Sequence, residues 1–315
     1  MKILWLSSLD KDVMWNQNFY HERKAFGEAH AVAPYGPGFP DYNERKTAQD
    51  VWKEQGPFDL VIHQEFFLYT RRLSGLDKLP CPKVAILCDA YINGIQMHKR
   101  IWKEGGVTAV MHRYTNFFPE WHEACPDIKF FHSPWGVDPD VYKNRGSRGY
   151  DVVILGSKSS HMYPTRHKLK TALEDTSLKV LDKPHPGGIR FGMNIEQPEG
   201  SVTGDAYARD LSRARIGVAT GGKPGFLVGK YFTIPGSGTA LAATPSEGWS
   251  EAGFIPDVNM FLLDPNRASS QLQSIAQAED RVQSVALAGY NLIRERHLWS
   301  HRVAAFTEWA SASDH

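Results

Sequence analysis

Short apolar runs alternate with helix-length stretches along the whole of this 315-residue chain. The first half reads as a strand at residues 2–7 (KILWLS), a helix at 15–29, a strand at 30–33 and a helix at 47–55 stopped by Gly56-Pro57. FDLVIH at 58–63 and PKVAILC at 82–88, which ends on Asp89, are further strands. A helix at 94–103, a strand at 107–111, a helix at 115–124 and a strand at 128–132 complete the series. Strands separated by helices in units of ~30 residues predict parallel sheets with helices on both faces. The alternation breaks at KNRGSRG, residues 143–149, which carry charge and glycine but no apolar period, and the break predicts a hinge. It restarts with strands at 150–155, 178–182, 216–219 and 260–263, helices at 163–173, 205–214 and 270–279, and a long helical tail from 280 to 310. The expected divisions are a first domain over residues 1–146, a second over 147–293 and a tail over 294–315. Ligands of such sheets bind outside the carboxyl ends of the strands, here expected to face an interdomain cleft.

The length agrees with two domains at roughly 100–200 residues each. Lysine and arginine total 36 against 35 acidic residues, so the net charge of +1 gives no general pull toward nucleic acid or an anionic membrane. The three cysteines, Cys81, Cys88 and Cys125, form no CxxC pair and suggest reduced thiols in a cytoplasmic protein. No apolar run nears the ~20 residues of a membrane span, and MKILWLSSLDKD turns polar too early for a signal peptide.

Residues 228–248, VGKYFTIPGSGTALAATPSEG, concentrate the chemistry. They read as a short helix opened by Lys230, a turn containing Gly236, Ser237 and Gly238, and a buried strand. The two glycines would let backbone approach a ligand, and Lys230 would supply a cation to an anionic group. A plain helix-to-strand connection capped by glycine is the competing reading.

Five segments in this order resemble one family: WGVDPDVY (135–142), DVVILGS (151–157), YPTRHKL (163–169), KYFTIPGSGTALAAT (230–244) and AGYNLIRERHLWSHR (288–302). Together they look like the CgeB-like, spore-maturation-type group of retaining GT-B glycosyltransferases. The resemblance covers the second half well, and AILCDAYINGIQMHKRIWKEGGVTAV extends it into the first. It implies two Rossmann-like domains, a nucleotide-sugar donor held mainly by the second, an acceptor held mainly by the first, and no obligatory metal or cofactor. It also implies that the tail packs back toward the first domain. Gly156 and Ser157 match the glycine turn after the second domain's first strand, Arg166 the basic residue of YPxR, Lys230 a usual basic residue before the donor-binding helix, and Gly238 that helix's terminal glycine. Where the family normally has a glutamate toward the donor's ribose, this chain has Thr233. Glu247 and Glu251 are nearby acids in a loop that reads as solvated.

Sugar transfer from such a donor builds negative charge on the leaving diphosphate, so cations and N–H dipoles must be organised there beforehand. Lys230, Arg166 and the turn at Gly156 and Ser157 are the candidates, with Lys158 a weaker one. A solvated cation on a helix surface is the alternative for either Lys230 or Arg166. Asp89, at the end of a parallel strand, is the candidate acceptor base, with a helix N-cap as its competing role. His63 and Glu65 are cleft candidates by position, and His98 reads as a packed or solvated side chain.

Other signals are set aside. Asp138-Pro139-Asp140 matches a DxD manganese pattern but reads as a turn or cap. GKPGFLVGKY lacks P-loop spacing, no GxGxxG follows the first strand, and the histidines show no zinc spacing. Ser157 has no nucleophile-elbow pattern around it. The expected activity is metal-independent, retaining transfer from a nucleotide diphosphate sugar, UDP-linked by preference. The acceptor stays open among a glycan, a small molecule, a protein and a modified DNA base. A GT-B-shaped binding module without catalysis, and a sugar-nucleotide epimerase or hydrolase, are the other classes.

Overall fold

A computed structural model of the chain describes residues 1–8, 14–64, 73–88, 94–116, 118–186 and 198–312. They form two compact units, one of residues Met1–Pro134 with Arg302–His315, the other of residues Trp135–His301.

The first unit is built on a six-stranded sheet in the order β2-β1-β3-β4-β5-β6, every neighbouring pair parallel. Its strands are β1 (Lys2–Leu6), β2 (Ala31–Tyr35), β3 (Leu60–His63), β4 (Lys83–Leu87), β5 (Ala109–His112) and β6 (Lys129–His132). Central β3, β4 and β5 are buried along their length, whereas the edges β2 and β6 carry exposed residues. That gradient is what helices on both faces of a parallel sheet impose. Pro34, which cannot donate to a ladder, sits on the edge strand β2. Thr47 caps the helix Ala48–Gln55 with a full capping box to Asp50, which places the helix start one residue after its predicted first residue.

The second unit carries a five-stranded parallel sheet, β11-β10-β9-β7-β8. Its strands are β7 (Tyr150–Val153), β8 (Val180–Leu181), β9 (Ala214–Ala219), β10 (Ala240–Ala243) and β11 (Phe261–Leu262). The run after Tyr150 splits by alternate residues. Val152 and Ile154 join one apolar cluster with Leu169 and Val218, while Val153 and Leu155 join another with Phe232 and Leu241. A period of two therefore serves both faces of one strand.

Residues 143–149, the predicted hinge, are bonded to the second unit. Arg148 donates to the carbonyls of Ala214 and Gly238 and to Thr239 Oγ1, and Arg145 pairs with Asp205. The charges fasten this stretch to the second unit instead of solvating a linker. The division falls after Pro134 because residues 135–142 also pack in that unit: the Val137 N–H donates to the His297 carbonyl, and Gly136 lies so close to the Trp299 ring that a Cβ would be 2.5 Å from it. The predicted long tail is two helices, Glu279–Arg296 and Trp299–Ala312. Cys81, Cys88 and Cys125 are buried thiols, and no described helix is long and apolar enough to cross a membrane.

Candidate functional site

In the second unit the chain passes from β7 to β8 on one side and then to β9 on the other. Order reversal leaves a crevice at the carboxyl ends of β7 and β9, where ligands of open α/β sheets bind. Gly156 stands at the β7 end with φ +103°, a conformation that side chains rarely adopt. A Cβ there would lie 2.5 Å from Lys230 Nζ and 3.2 Å from Arg166 Nη1. Glycine is required because two cations occupy the space a side chain would fill.

Arg166 projects from the helix Pro164–Glu174 and is 1% exposed. Its Nη1 donates to the Ser157 carbonyl at 2.9 Å and its Nη2 to the Thr220 carbonyl at 3.1 Å, so it ties the end of β7 to the end of β9. The guanidinium also stacks over the Tyr163 ring, 4.4 Å from its centroid. Lys230 opens the helix Lys230–Gly236, with its ammonium 6.0 Å from the Tyr207 ring centroid. The residue as a whole is half-buried, but its ammonium is closely surrounded by protein. Burial, and after it the charge of Arg166, lowers the Lys230 pKa to about 7. Burial lowers the Arg166 pKa, opposed among the described residues by the Tyr163, Tyr207 and Tyr231 hydroxyls. Among the described residues neither cation has a carboxylate partner.

Lys158 differs. It pairs with Asp182 and donates to the Lys183 carbonyl at 3.2 Å, so its charge is already answered. His185, which follows β8, lies within reach of the Lys230, Arg166 and Lys158 charges. Burial first and then those cations lower its pKa to about 4, so it stays neutral beside them. Thr233 lies three residues beyond Lys230, at helical spacing on one side of the helix, and is 5% exposed. Its hydroxyl lies beside that of Tyr207 without hydrogen-bond geometry, and Thr220 Oγ1 is likewise buried without a partner. Burial pushes the Tyr207 phenol up to about 12, with the Arg166 charge acting in the opposite sense.

Gly156, Ser157, Arg166 and Lys230 are thus brought together, with Thr233 one helical turn away. Gly236, Ser237 and Gly238 are not part of that cluster. They end the helix opposite Lys230, roughly 10 Å along its axis at ~1.5 Å per residue. A Cβ on Gly236 would meet Val137 Cγ1 at 3.0 Å, the Ser237 hydroxyl donates to the Thr233 carbonyl at 2.9 Å, and Gly238 (φ +73°) lies against Asn144. Their small size serves packing and a left-handed cap. Asp89 and Glu65 lie outside the described residues. His63 is fully buried, and burial ahead of the Lys83 charge drops its pKa to about 3. His98 is buried against Trp102 and Trp121, with Nδ1 2.8 Å from the Gly94 carbonyl oxygen. Asp138 accepts from the Asp140 N–H at 2.9 Å, the turn role expected of it. Glu247 and Glu251 are exposed. His185, Tyr207 and Thr220 escaped sequence reasoning; only their positions just after strands, or on a helix facing the crevice, could have marked them.

A family model described as Glycosyl transferase-like matches residues 148–308, just over half of the chain. No curated protein sequence matches it. Among solved structures, a sucrose-phosphate synthase from Thermosynechococcus elongatus superposes with a TM-score of 0.70 at 12% identity, covering 99% of this chain and 98% of that one. HepE of Anabaena, in complex with UDP and glucose, gives 0.68 at 14% identity over 99% and 100% of the two chains. A DNA-modifying β-glucosyltransferase, studied with and without uridine diphosphoglucose, gives 0.61 at 15% identity over 99% and 98%. At such identities the likeness establishes the fold, which is that of GT-B glycosyltransferases.

Proposed function

The chain belongs to the glycosyl transferase-like family, and on that premise we propose that it moves a sugar from a nucleoside diphosphate donor, UDP-linked, to an acceptor hydroxyl. We propose further that the anomeric configuration is retained, and that no metal or other cofactor is needed. The observation that carries this reading is the Arg166 and Lys230 pair at the β7/β9 crevice, two adjacent cations with no carboxylate between them. Two unit charges ~4 Å apart interact by roughly 4 kcal/mol at the effective dielectric of a protein surface, so an anion seated between them gains from both. A diphosphate offers such a charge, and HepE and the DNA glucosyltransferase bind UDP or its glucose conjugate.

In this reading Lys230 and Arg166 hold the diphosphate as negative charge grows on its leaving oxygen, while the sugar passes through an oxocarbenium-like state. Because Arg166 is fixed by two strand-end carbonyls, its donors need no reorganisation as the bond breaks. Retention rests on the family resemblance alone. The acceptor is assigned to the first unit on the same ground, with Asp89 as its base. Incubation with a panel of UDP-sugars in EDTA tests the proposal. Release of UDP, with the product's anomeric proton matching the donor's configuration, is the expected result, and loss of at least 100-fold in turnover is expected for Lys230→Ala. Turnover restored only by manganese, or unchanged in Lys230→Ala, would contradict it.

A further inference from the structure

The sheet of the first unit has its own reversal, where the chain leaves β1 for β2 and then returns to pair β3 on the other side of β1. Ser7, fully buried, follows β1 at that point, and its hydroxyl accepts from Arg23 Nη1 at 3.1 Å. Arg23 comes from the helix Met14–Ala29, and its guanidinium lies between two rings, 4.8 Å from the Phe39 centroid and 5.6 Å from that of Tyr20. Phe39 belongs to the Gly-Pro loop that leaves β2. The ends of two strands and one helix therefore converge on a single cation.

Among the described residues that cation has no carboxylate partner. A guanidinium has five N–H donors, and among the described residues only Ser7 accepts from it. Among the described residues the Tyr20 hydroxyl supports its charge, against a larger effect of burial. Arg113, on the same sheet, shows how this unit treats a purely structural arginine. It is fully buried, paired with the Glu22 carboxylate, and donates to the Ser133 carbonyl at 2.9 Å. Arg23 instead keeps Nε and Nη2, the side-on fork that fits a tetrahedral oxyanion, without an acceptor among the described residues.

We propose that Arg23, held by Ser7 and walled by Phe39 and Tyr20, is an anion subsite of the first unit that takes the phosphate monoester of a small phosphorylated sugar. A nucleic-acid backbone would call for a stripe of cations, and one fork between two rings suits a single terminal phosphate. The proposal rests on the transferase reading only in making that sugar phosphate the acceptor.

Calorimetric titration of the whole chain, with UDP at saturation to occupy the second unit, tests it with glucose, glucose 6-phosphate and inorganic phosphate as probes. Saturable binding of glucose 6-phosphate, absent for glucose, is expected, and it should weaken tenfold or more in Arg23→Gln and less in Arg23→Lys. An unchanged thermal melt of Arg23→Gln reports that the variant is folded. Equal glucose 6-phosphate binding by both forms would overturn the proposal, as would binding of neither phosphate probe by the wild type. Arg23-dependent binding of duplex DNA in place of the sugar phosphate would overturn it too. If UDP does not bind the wild type, the transferase reading falls, and the same titration on Lys230→Met still decides the arginine subsite.

Discussion

Gly156 holds the site open by lacking a side chain. Its φ of +103° and the 2.5 Å gap between a Cβ and Lys230 Nζ mean that Gly156→Ala must both strain the backbone and displace the ammonium. Left-handed strain costs a non-glycine residue on the order of 1–2 kcal/mol. We expect a Tm lower by several degrees and UDP affinity weaker by tenfold or more, read by thermal melts and calorimetry. A full-strength site in that variant would show that Lys230 does not hold the ligand from this position. Lys230 also gives the site a pH signature. With its pKa lowered to about 7, the empty folded site loses this proton as pH rises through 7, whereas the unfolded chain keeps it until near 10.5. The unfolded state therefore binds more protons between those values, and this group's contribution to stability rises with pH across that window. Binding works in the opposite direction, because a diphosphate favours the ammonium. UDP affinity should fall by up to tenfold per pH unit above 7, and Lys230→Arg should flatten the slope. A wild-type affinity constant from pH 7 to 9 would contradict the assignment.

The helix Lys230–Gly236 and the strand β10 that follows it form the element on which the site depends. Helix and strand were legible in KYFTIPGSGTALAAT because an apolar run follows a glycine turn. The role of the turn was not legible. Nothing local in the sequence shows that Gly236 lies against Val137 and Gly238 against Asn144; only the fold does. The bonding of the charged stretch at 143–149 was hidden for a similar reason. Nothing in KNRGSRG shows that Arg148 caps strand-end carbonyls instead of solvating a linker. Arg166 was legible through its motif, whereas Tyr207 and His185 reach the site through tertiary packing that no local pattern encodes. The helix is seated on β9 through Gly217, where a Cβ would lie 2.6 Å from Ile234 Cγ2. Gly217→Val should overpack this contact and cost about 1–3 kcal/mol, lifting the first turn and Lys230 with it. Denaturant unfolding would show the loss, and an unchanged midpoint would mean that the helix is anchored elsewhere.

Each unit has a parallel sheet whose strand order reverses, with at least one cationic side chain at the reversal. In the second unit the cations are Arg166 and Lys230; in the first it is Arg23. Alternation of strands and helices made both sheets legible. The division between units was not, since residues 135–142 are held by the second unit through Val137 and Trp299. A net charge of +1 supplies no global field to draw an anion, so any selection of one would fall to local cations. The central claim is that Lys230 and Arg166 form a diphosphate site complete without a metal. Calorimetric titration of UDP into the wild type and Lys230→Met, both in EDTA at pH 7, addresses it most directly. We predict saturable, one-to-one binding by the wild type and at least 100-fold weaker binding by a variant that melts normally. Equal affinity in the two proteins, or binding by the wild type only when a divalent cation is added, would contradict the account.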